Sequence, residues 1–117
     1  MTDRGDILAQ LRPSYLARLG VRVSDLREFA RRLGKCGLPP QEREEVHRAA
    51  HSMASSAAIF GHAALSAAAR AAEEIFEKPS ADPGEQRALM ARLLSEAERV
   101  LVSGSLLIQG GGQTRKS

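Results

Sequence analysis

Apolar residues recur every three or four positions along most of the chain, and this spacing constrains the fold more than any other feature of the sequence. A helix turns once in about 3.6 residues, so side chains with this spacing lie on one helical face. The four stripes, in chain order, are Leu16, Leu19, Val23, Leu26, Ala30 and Leu33; Val46, Ala50, Met53, Ala57 and Phe60; Leu65, Ala68, Ala72 and Ile75; and Leu89, Met90, Leu93, Leu94, Ala97, Val100 and Leu101. The pattern predicts four amphipathic helices, and no segment alternates in the manner of a convincing strand.

Proline and glycine mark the ends of these helices. Pro40 and Pro83 stand where the second and fourth helices would begin, and the first turn of a helix tolerates a residue without an N–H. Gly61 separates the second stripe from the third. Pro13 would likewise open the first long helix, with a short helix over residues 3–10 before it. The predicted fold is therefore all-α, an antiparallel up-down four-helix bundle with a short extra N-terminal helix.

The length of 117 residues has room for one domain. We expect the bundle to span residues 1–104, followed by a frayed helix end and a flexible tail over residues 105–117, because the tail is rich in glycine and polar residues. The single cysteine, Cys36, excludes an internal disulfide and favours a reducing compartment, where it would be an incidental thiol. No apolar run approaches the roughly 20 residues of a membrane span, and the N-terminus lacks the apolar stretch of a signal peptide. These features predict a cytoplasmic protein with no membrane association.

The basic residues are spread along the chain rather than gathered on one surface. Lys and Arg number 17 against 14 Asp and Glu, which gives a net charge of +3. Trp is absent, and the chain has one Tyr and three Phe, so few rings are available for bases to stack on. A mildly basic balance favours acidic partners, but a nucleic-acid-binding helix would need a concentrated basic face. We therefore expect no nucleic-acid partner.

The second helix carries a histidine on the face opposite to its apolar stripe. At 100° per residue, His51 lies about 140° from the centre of the stripe and should point into solvent. Its neighbours one or two turns away are His47, Ala54, Ser55 and Ala58, of which three are small. A low surface of this kind lets a large partner approach the imidazole, so these four residues form the predicted docking surface.

The simplest role for His51 is that of a solvated surface residue, because this is what an exposed histidine on a helix most often is. His47 and His51 are four residues apart, which suits a metal ion, but the Glu of the HExxH zinc motif is absent, and we expect no metal site. Ser52, Ser55 and Ser56 lie nearby, but no Ser-His-Asp arrangement accompanies them.

The run AHSMASSAAIFGHAAL, at residues 50–65, resembles the signature of histidine phosphotransfer (HPt) domains, the phosphocarrier modules of two-component phosphorelays. It is similar also to the first domain of the chemotaxis kinases. The positions that match are Ala50, His51, Met53, Ser56, Ala57, Phe60, Gly61, Leu65 and Glu73. The chain departs from the family at Ala54, where Lys is usual, and at Ser55, where Gly is usual. The resemblance implies the four-helix bundle that the stripes predict.

The resemblance also implies that His51 is a phosphoacceptor. A neutral imidazole would take a phosphoryl group from one receiver-domain aspartate and pass it to another, as a carrier without turnover of its own. The implied partners are the receiver domains of a hybrid histidine kinase or a response regulator in a bacterial cell. The Mg²⁺ would belong to the receiver, so this chain, as a monomer, needs no cofactor. Glu73 is the candidate for orienting the far ring nitrogen of His51.

The sequence leaves two alternatives open. Arg48, three residues before His51, either supplies the phosphoryl-stabilising cation that Ala54 lacks or pairs with Glu44 or Glu45. The chain is either an active phosphocarrier or a degenerate HPt-like adaptor that binds receiver domains without carrying phosphate.

Overall fold

The computed structural model describes residues 4–34 and 37–113, and these residues form four helices. The helices are α1 (Arg4–Arg32), α2 (Pro40–Ile59), α3 (Ala63–Glu77) and α4 (Pro83–Gln113). Each helix packs against two neighbours, in the pairs α1–α2, α2–α3, α3–α4 and α1–α4. Short connections between adjacent packed helices make them antiparallel. The prediction of an all-α four-helix bundle is therefore confirmed. Among the described helices, none has the length and hydropathy of a membrane span.

The first helix is longer than predicted. Residues 4–10 are its opening turns, so the expectation of a separate short helix before Pro13 is wrong. A proline inside a helix removes one hydrogen bond and costs about 3 kcal/mol relative to alanine. Two features explain why α1 continues through Pro13. Residues 8–11 (Leu-Ala-Gln-Leu) are strong helix formers, and Pro13 itself is exposed, so its ring disturbs no core contact.

The last helix continues past Gly104, after which we expect its end to fray, and its backbone is helical to Gln113. Gly104 also lies against α1, because a Cβ atom built there would fall 2.6 Å from Leu16 Cδ1. The missing side chain lets α1 and α4 approach closely at this level. The division of the chain at residue 104 stays a prediction, and Cys36 and residues 114–117 lie outside the described residues.

The core forms from the predicted stripes, except that in α1 and in α3 one buried residue is the sequence neighbour of the residue predicted. Phe76 is 0% exposed where the stripe placed Ile75, and Tyr15 is buried where it placed Leu16. Ile75 and Leu16 are partly buried at the edge of the core. One residue turns a helix by 100°, and an aromatic ring removes more apolar area from water than an aliphatic side chain does. The rings therefore take one buried position in α1 and one in α3, while the rest of each predicted stripe still faces the core.

A tight hairpin of α2 and α3 carries the candidate site. Half of residues 49–72 are alanine, so little side-chain volume separates the two helices. Inside the interface, the Ser66 hydroxyl donates a hydrogen bond of 2.9 Å to the carbonyl oxygen of Ala54. This contact satisfies a buried hydroxyl and fixes the level at which the two helices pass each other.

The turn of the hairpin depends on Gly61. Its φ of 80° lies in the left-handed region, where a Cβ atom is unfavourable. The His62 N–H donates to the Ala57 carbonyl at 2.8 Å, and the Gly61 N–H donates to the Ala58 carbonyl at 3.2 Å. These two bonds form a Schellman motif, which ends α2 and sends the chain directly into α3.

We predict opposite effects of alanine at two glycines. Gly61→Ala should lower the free energy of unfolding by about 1 kcal/mol, because the left-handed backbone is unfavourable for alanine although no atom lies within 4 Å of its Cβ. Gly20→Ala, inside α1 and equally free of close neighbours, should raise it by about 0.5–1 kcal/mol. Urea denaturation of both variants measures this, and equal stability of Gly61→Ala and wild type would contradict the assignment of the turn.

Candidate functional site

His51 of α2 and Glu73 of α3 meet on the outer side of the hairpin. The distance between His51 Nδ1 and Glu73 Oε2 is 2.7 Å, and the side chains are 67% and 25% exposed. A carboxylate only accepts hydrogen bonds, so the proton of the neutral ring lies on Nδ1. The other ring nitrogen, Nε2, then keeps its lone pair, and the site presents an oriented nucleophile to solvent.

His47 lies one turn before His51 and faces the same carboxylate. Its Nε2 is 4.0 Å from Glu73 Oε2, beyond hydrogen-bond distance, and its side chain is 28% exposed. The structure therefore places the predicted phosphoacceptor His51 and the predicted docking residue His47 around one acid. The shorter contact and greater exposure distinguish His51 as the accessible imidazole.

One of the four residues of the predicted docking surface is buried. Ser55 and Ala58 are exposed near His51, and the Ser55 hydroxyl bonds back to the His51 carbonyl at 3.3 Å. Ala54 is only 2% exposed, so the expectation that it contributes to the docking surface is wrong. Its place on the helix lies between the apolar stripe and His51, and the closely packed α3 covers it there.

Arg48 lies on the other side of α2 from Glu73. It lines a groove between α1 and α2 together with Asp25, Phe29 and Glu45. In the described part of the chain, Arg48 forms no hydrogen bond or ion pair, so its pairing with Glu44 or Glu45 is not observed. Its role beside a phosphoryl group stays a prediction.

The third histidine, His62, lies in the turn of the hairpin and is unsuited to meet a partner. Within the described ranges, its Nε2 is buried without a hydrogen-bond partner, and its ring stacks on Tyr15 with 5.9 Å between the centroids. Burial lowers the pKa of His62 below its ordinary value of 6.5, and the Arg12 guanidinium lowers this pKa further. His62 is thus a neutral structural residue.

The sequence pattern did not identify Arg70, which lies on α3 one turn before Glu73. Arg70 is exposed and lines a surface groove with Ala58, Gly61 and Ser66. Its spacing of three residues from Glu73 is the signal that could have found it, since residues three apart share a helical face. For metal chemistry, the described residues contain no cluster of three or more His, Cys, Asp or Glu side chains.

Comparison with known proteins gives one finding. A sequence model of the family described as "Hpt domain" matches residues 10–101, a span that contains His51 and Glu73 and reaches from α1 into α4. Searches of curated proteins and of solved structures found no match.

Because partial burial lowers the pKa of His62, we predict a pH dependence of stability that one substitution reduces. The pKa of His62 is lower in the folded than in the unfolded chain, so below about pH 6.5 the unfolded state binds more protons. The stabilisation is complete above the unfolded pKa and is lost as the pH falls through the folded pKa. We expect the free energy of unfolding to fall less for His62→Gln than for wild type between about pH 7.5 and about pH 5.5. Urea titrations at both pH values measure this, and an equal decline in both proteins would contradict it.

Proposed function

The chain belongs to the Hpt domain family, which performs histidine phosphotransfer in two-component signalling, and on this premise we propose that it relays a phosphoryl group between receiver-domain aspartates through a phosphohistidine at His51. The observation that carries this proposal is the hydrogen bond of 2.7 Å between His51 Nδ1 and Glu73 Oε2. It holds the ring by one nitrogen and leaves the other nitrogen nucleophilic on an exposed surface.

The transfer needs little from this chain beyond its imidazole. The Nε2 lone pair of His51 attacks the phosphorus of a receiver phosphoaspartate in line with the leaving oxygen. The Nε2–P bond forms, the P–O bond breaks, and the aspartate leaves as a carboxylate. The Nδ1 proton stays on the ring, where the Glu73 carboxylate stabilises the positive charge that the ring acquires. Transfer to a second receiver is the same step in reverse.

The partners follow from this chemistry. Hpt domains interact with receiver domains of kinases and response regulators, and here we propose the receivers of a hybrid histidine kinase and of a response regulator. The receiver supplies the phosphoaspartate and the Mg²⁺ that neutralises its charge, so this chain needs no cofactor of its own. Exposed small residues at Ser55 and Ala58 leave space for a receiver beside His51. We propose that the protein acts as a monomer in the bacterial cytoplasm, without a nucleic-acid or membrane partner.

A second candidate function has one observation in its favour. Ala54 occupies the position where the family usually has Lys, and it is buried, so α2 offers no cation one turn after His51. A chain that docks on receivers without holding phosphate would be a degenerate HPt-like adaptor. Phosphotransfer and receiver binding therefore have to be measured separately.

We predict that His51→Gln abolishes phosphotransfer and leaves the fold intact. Wild-type protein, incubated with a phosphorylated receiver and Mg²⁺, should acquire a label that is labile in acid and stable in base. The variant should acquire none, because Gln offers no nucleophilic nitrogen. Its helical circular dichroism should persist, since a substitution at an exposed position changes stability by about 0.5 kcal/mol or less.

Each other outcome has one meaning. Label on the His51→Gln protein would place the phosphoacceptor elsewhere and contradict the assignment. A wild-type protein that binds the receiver in a pull-down but takes no label would favour the adaptor.

We predict that Glu73 sets the rate of transfer rather than its occurrence. Glu73→Ala removes a charge-assisted hydrogen bond that is partly exposed, and we expect transfer to slow about tenfold, which corresponds to about 1.4 kcal/mol. Glu73→Gln keeps an oxygen acceptor for Nδ1 and should lie between Ala and wild type. Glu74→Ala is the matched control, because Glu74 is an exposed acid on the same helix with no contact to His51. Rapid-quench measurement of the first turnover checks this order, and equal rates for Glu73→Ala and Glu74→Ala would contradict it.

A further inference from the structure

Phosphorylation of His51 would create a concentration of negative charge on the outer side of the hairpin. A phosphoryl group adds about −1.5 to −2 charges near neutral pH. The Glu73 carboxylate is already there, with its Oε2 at 2.7 Å from His51 Nδ1. The phosphoryl group on Nε2 would lie across the imidazole ring from this carboxylate. Two negative groups separated by one ring repel each other, so a nearby cation would favour the phosphorylated state.

Two contacts fix the register of α2 against α3 and show which α3 residues lie level with His51. One contact joins His51 to Glu73, and the other joins the Ala54 carbonyl to the Ser66 hydroxyl. Arg70 lies between Ser66 and Glu73 along α3. In an antiparallel pair it is therefore level with the segment of α2 from His51 to Ala54, where the family usually places its Lys.

Arg70 also lies on the outer side of the hairpin. At 100° per residue, Ser66 and Glu73 are about 20° apart around α3, and Arg70 is about 40–60° from them in the direction away from the buried Ala69 and Ala72. Arg70 is exposed there and lines a groove with Ala58.

Across that groove, Ala58 lies about 20° from His51 around α2. The groove and His51 therefore open on the same side of the molecule. Small side chains between them leave room for a long side chain to move.

The guanidinium of Arg70 has no competing partner among the residues that the structure describes. In the part of the chain that the structure describes, Arg70 forms no ion pair or hydrogen bond, although Glu73 and Glu74 lie one turn after it. Its five donors match phosphate oxygens in a bidentate manner. Arg48, by contrast, lies in the groove between α1 and α2, on the side of α2 away from Glu73.

We propose that Arg70, supplied by α3, is the residue that binds the phosphoryl group of phosphorylated His51, in the role that Ala54 cannot fill. The proposal rests on the proposed function, because it assigns a further residue of the same site. The cation that binds the phosphoryl group then comes from α3, through its packing against α2, and not from the motif on α2.

The test compares three variants of the full chain: Arg70→Ala, Arg70→Lys and Arg48→Ala. Single-turnover transfer from a phosphorylated receiver should slow about tenfold in Arg70→Ala, because an exposed charge-assisted contact is lost. Arg70→Lys should recover part of the rate, since Lys keeps the charge but not the bidentate geometry. Arg48→Ala tests the other candidate cation: if Arg70 is the residue that binds the phosphoryl group, this variant keeps the wild-type rate. The effect at Arg70 should shrink at high salt.

A second measurement separates phosphoryl binding from receiver docking. Each protein is phosphorylated with phosphoramidate in the absence of a receiver, and the phosphoryl group is titrated by ³¹P NMR. A neighbouring cation favours the doubly charged phosphoryl form, so its pKa should be higher in Arg70→Ala than in wild type and unchanged in Arg48→Ala. A purely structural role of Arg70 would leave this titration unmoved.

The outcomes distinguish this inference from the proposed function. If wild-type protein takes label but Arg70→Ala matches it in rate and in ³¹P titration, the Arg70 assignment is overturned and the relay stands. If Arg48→Ala rather than Arg70→Ala shows both effects, the cation comes from the α1 side, and the Arg70 assignment is again overturned. If wild-type protein takes no label from either donor, the proposed function itself fails.

Discussion

The close approach of α2 and α3 is the constraint on which the candidate site depends. The hydrogen bond between His51 and Glu73 spans two helices, and it reaches 2.7 Å only because small residues fill the space between them. Gly61 fixes the turn, and the bond from Ser66 to the Ala54 carbonyl fixes the register. The ring orientation of the proposed phosphoacceptor is therefore a consequence of backbone geometry at some distance from it.

The same packing alters the surface around His51. Because α3 lies so close, it covers Ala54, the position at which the family usually has a cation. The covering helix, α3, has an arginine level with Ala54. This residue, Arg70, lies on the solvent-exposed side of α3. A change that removes a charge from one helix can thus be offset by a charge on the helix that covers the position. A positive charge then remains near His51 although α2 has Ala54 where the family usually has Lys.

The parts of this structure that the sequence predicts are those that depend on a single helix. The apolar period predicts four helices, and the wheel of α2 predicts that His51 faces solvent; both descriptions hold in the structure. Pro13 shows the limit of a local rule, because helix continuity on both sides outweighs one lost hydrogen bond. Tyr15 shows another limit, since the packing of a whole ring, not the spacing of one stripe, decides which residue is buried.

Features that depend on the packing of two helices cannot be predicted from the apolar spacing within one helix. Glu73 follows only from resemblance to a family, because no period links residues on different helices. Ala54 lies at the edge of its stripe, where the distance of the neighbouring helix decides between exposure and burial. The spacing of Arg70 from Glu73 places both on one face of α3, but the relation of Arg70 to His51 exists only once the hairpin has its register. Such contacts require the tertiary arrangement that the sequence pattern implies but does not measure.

The exposure of the site suits the proposed relay, in which one residue must both accept and release a phosphoryl group. A carrier that bound its phosphoryl group very tightly would resist transfer to the next aspartate, because stabilising the phosphohistidine raises the barrier to the second step as much as it favours the first. The contact of the partly exposed Glu73 carboxylate with the ring is weakened by solvent. The proposed contact of the exposed Arg70 guanidinium with the phosphoryl group would be weakened in the same way. Buried partners would hold the group more strongly and would also keep a receiver from reaching it. A shallow site on small residues therefore meets both requirements of a relay. Two partners can reach the histidine in turn, and the phosphoryl group is held weakly enough to be passed on.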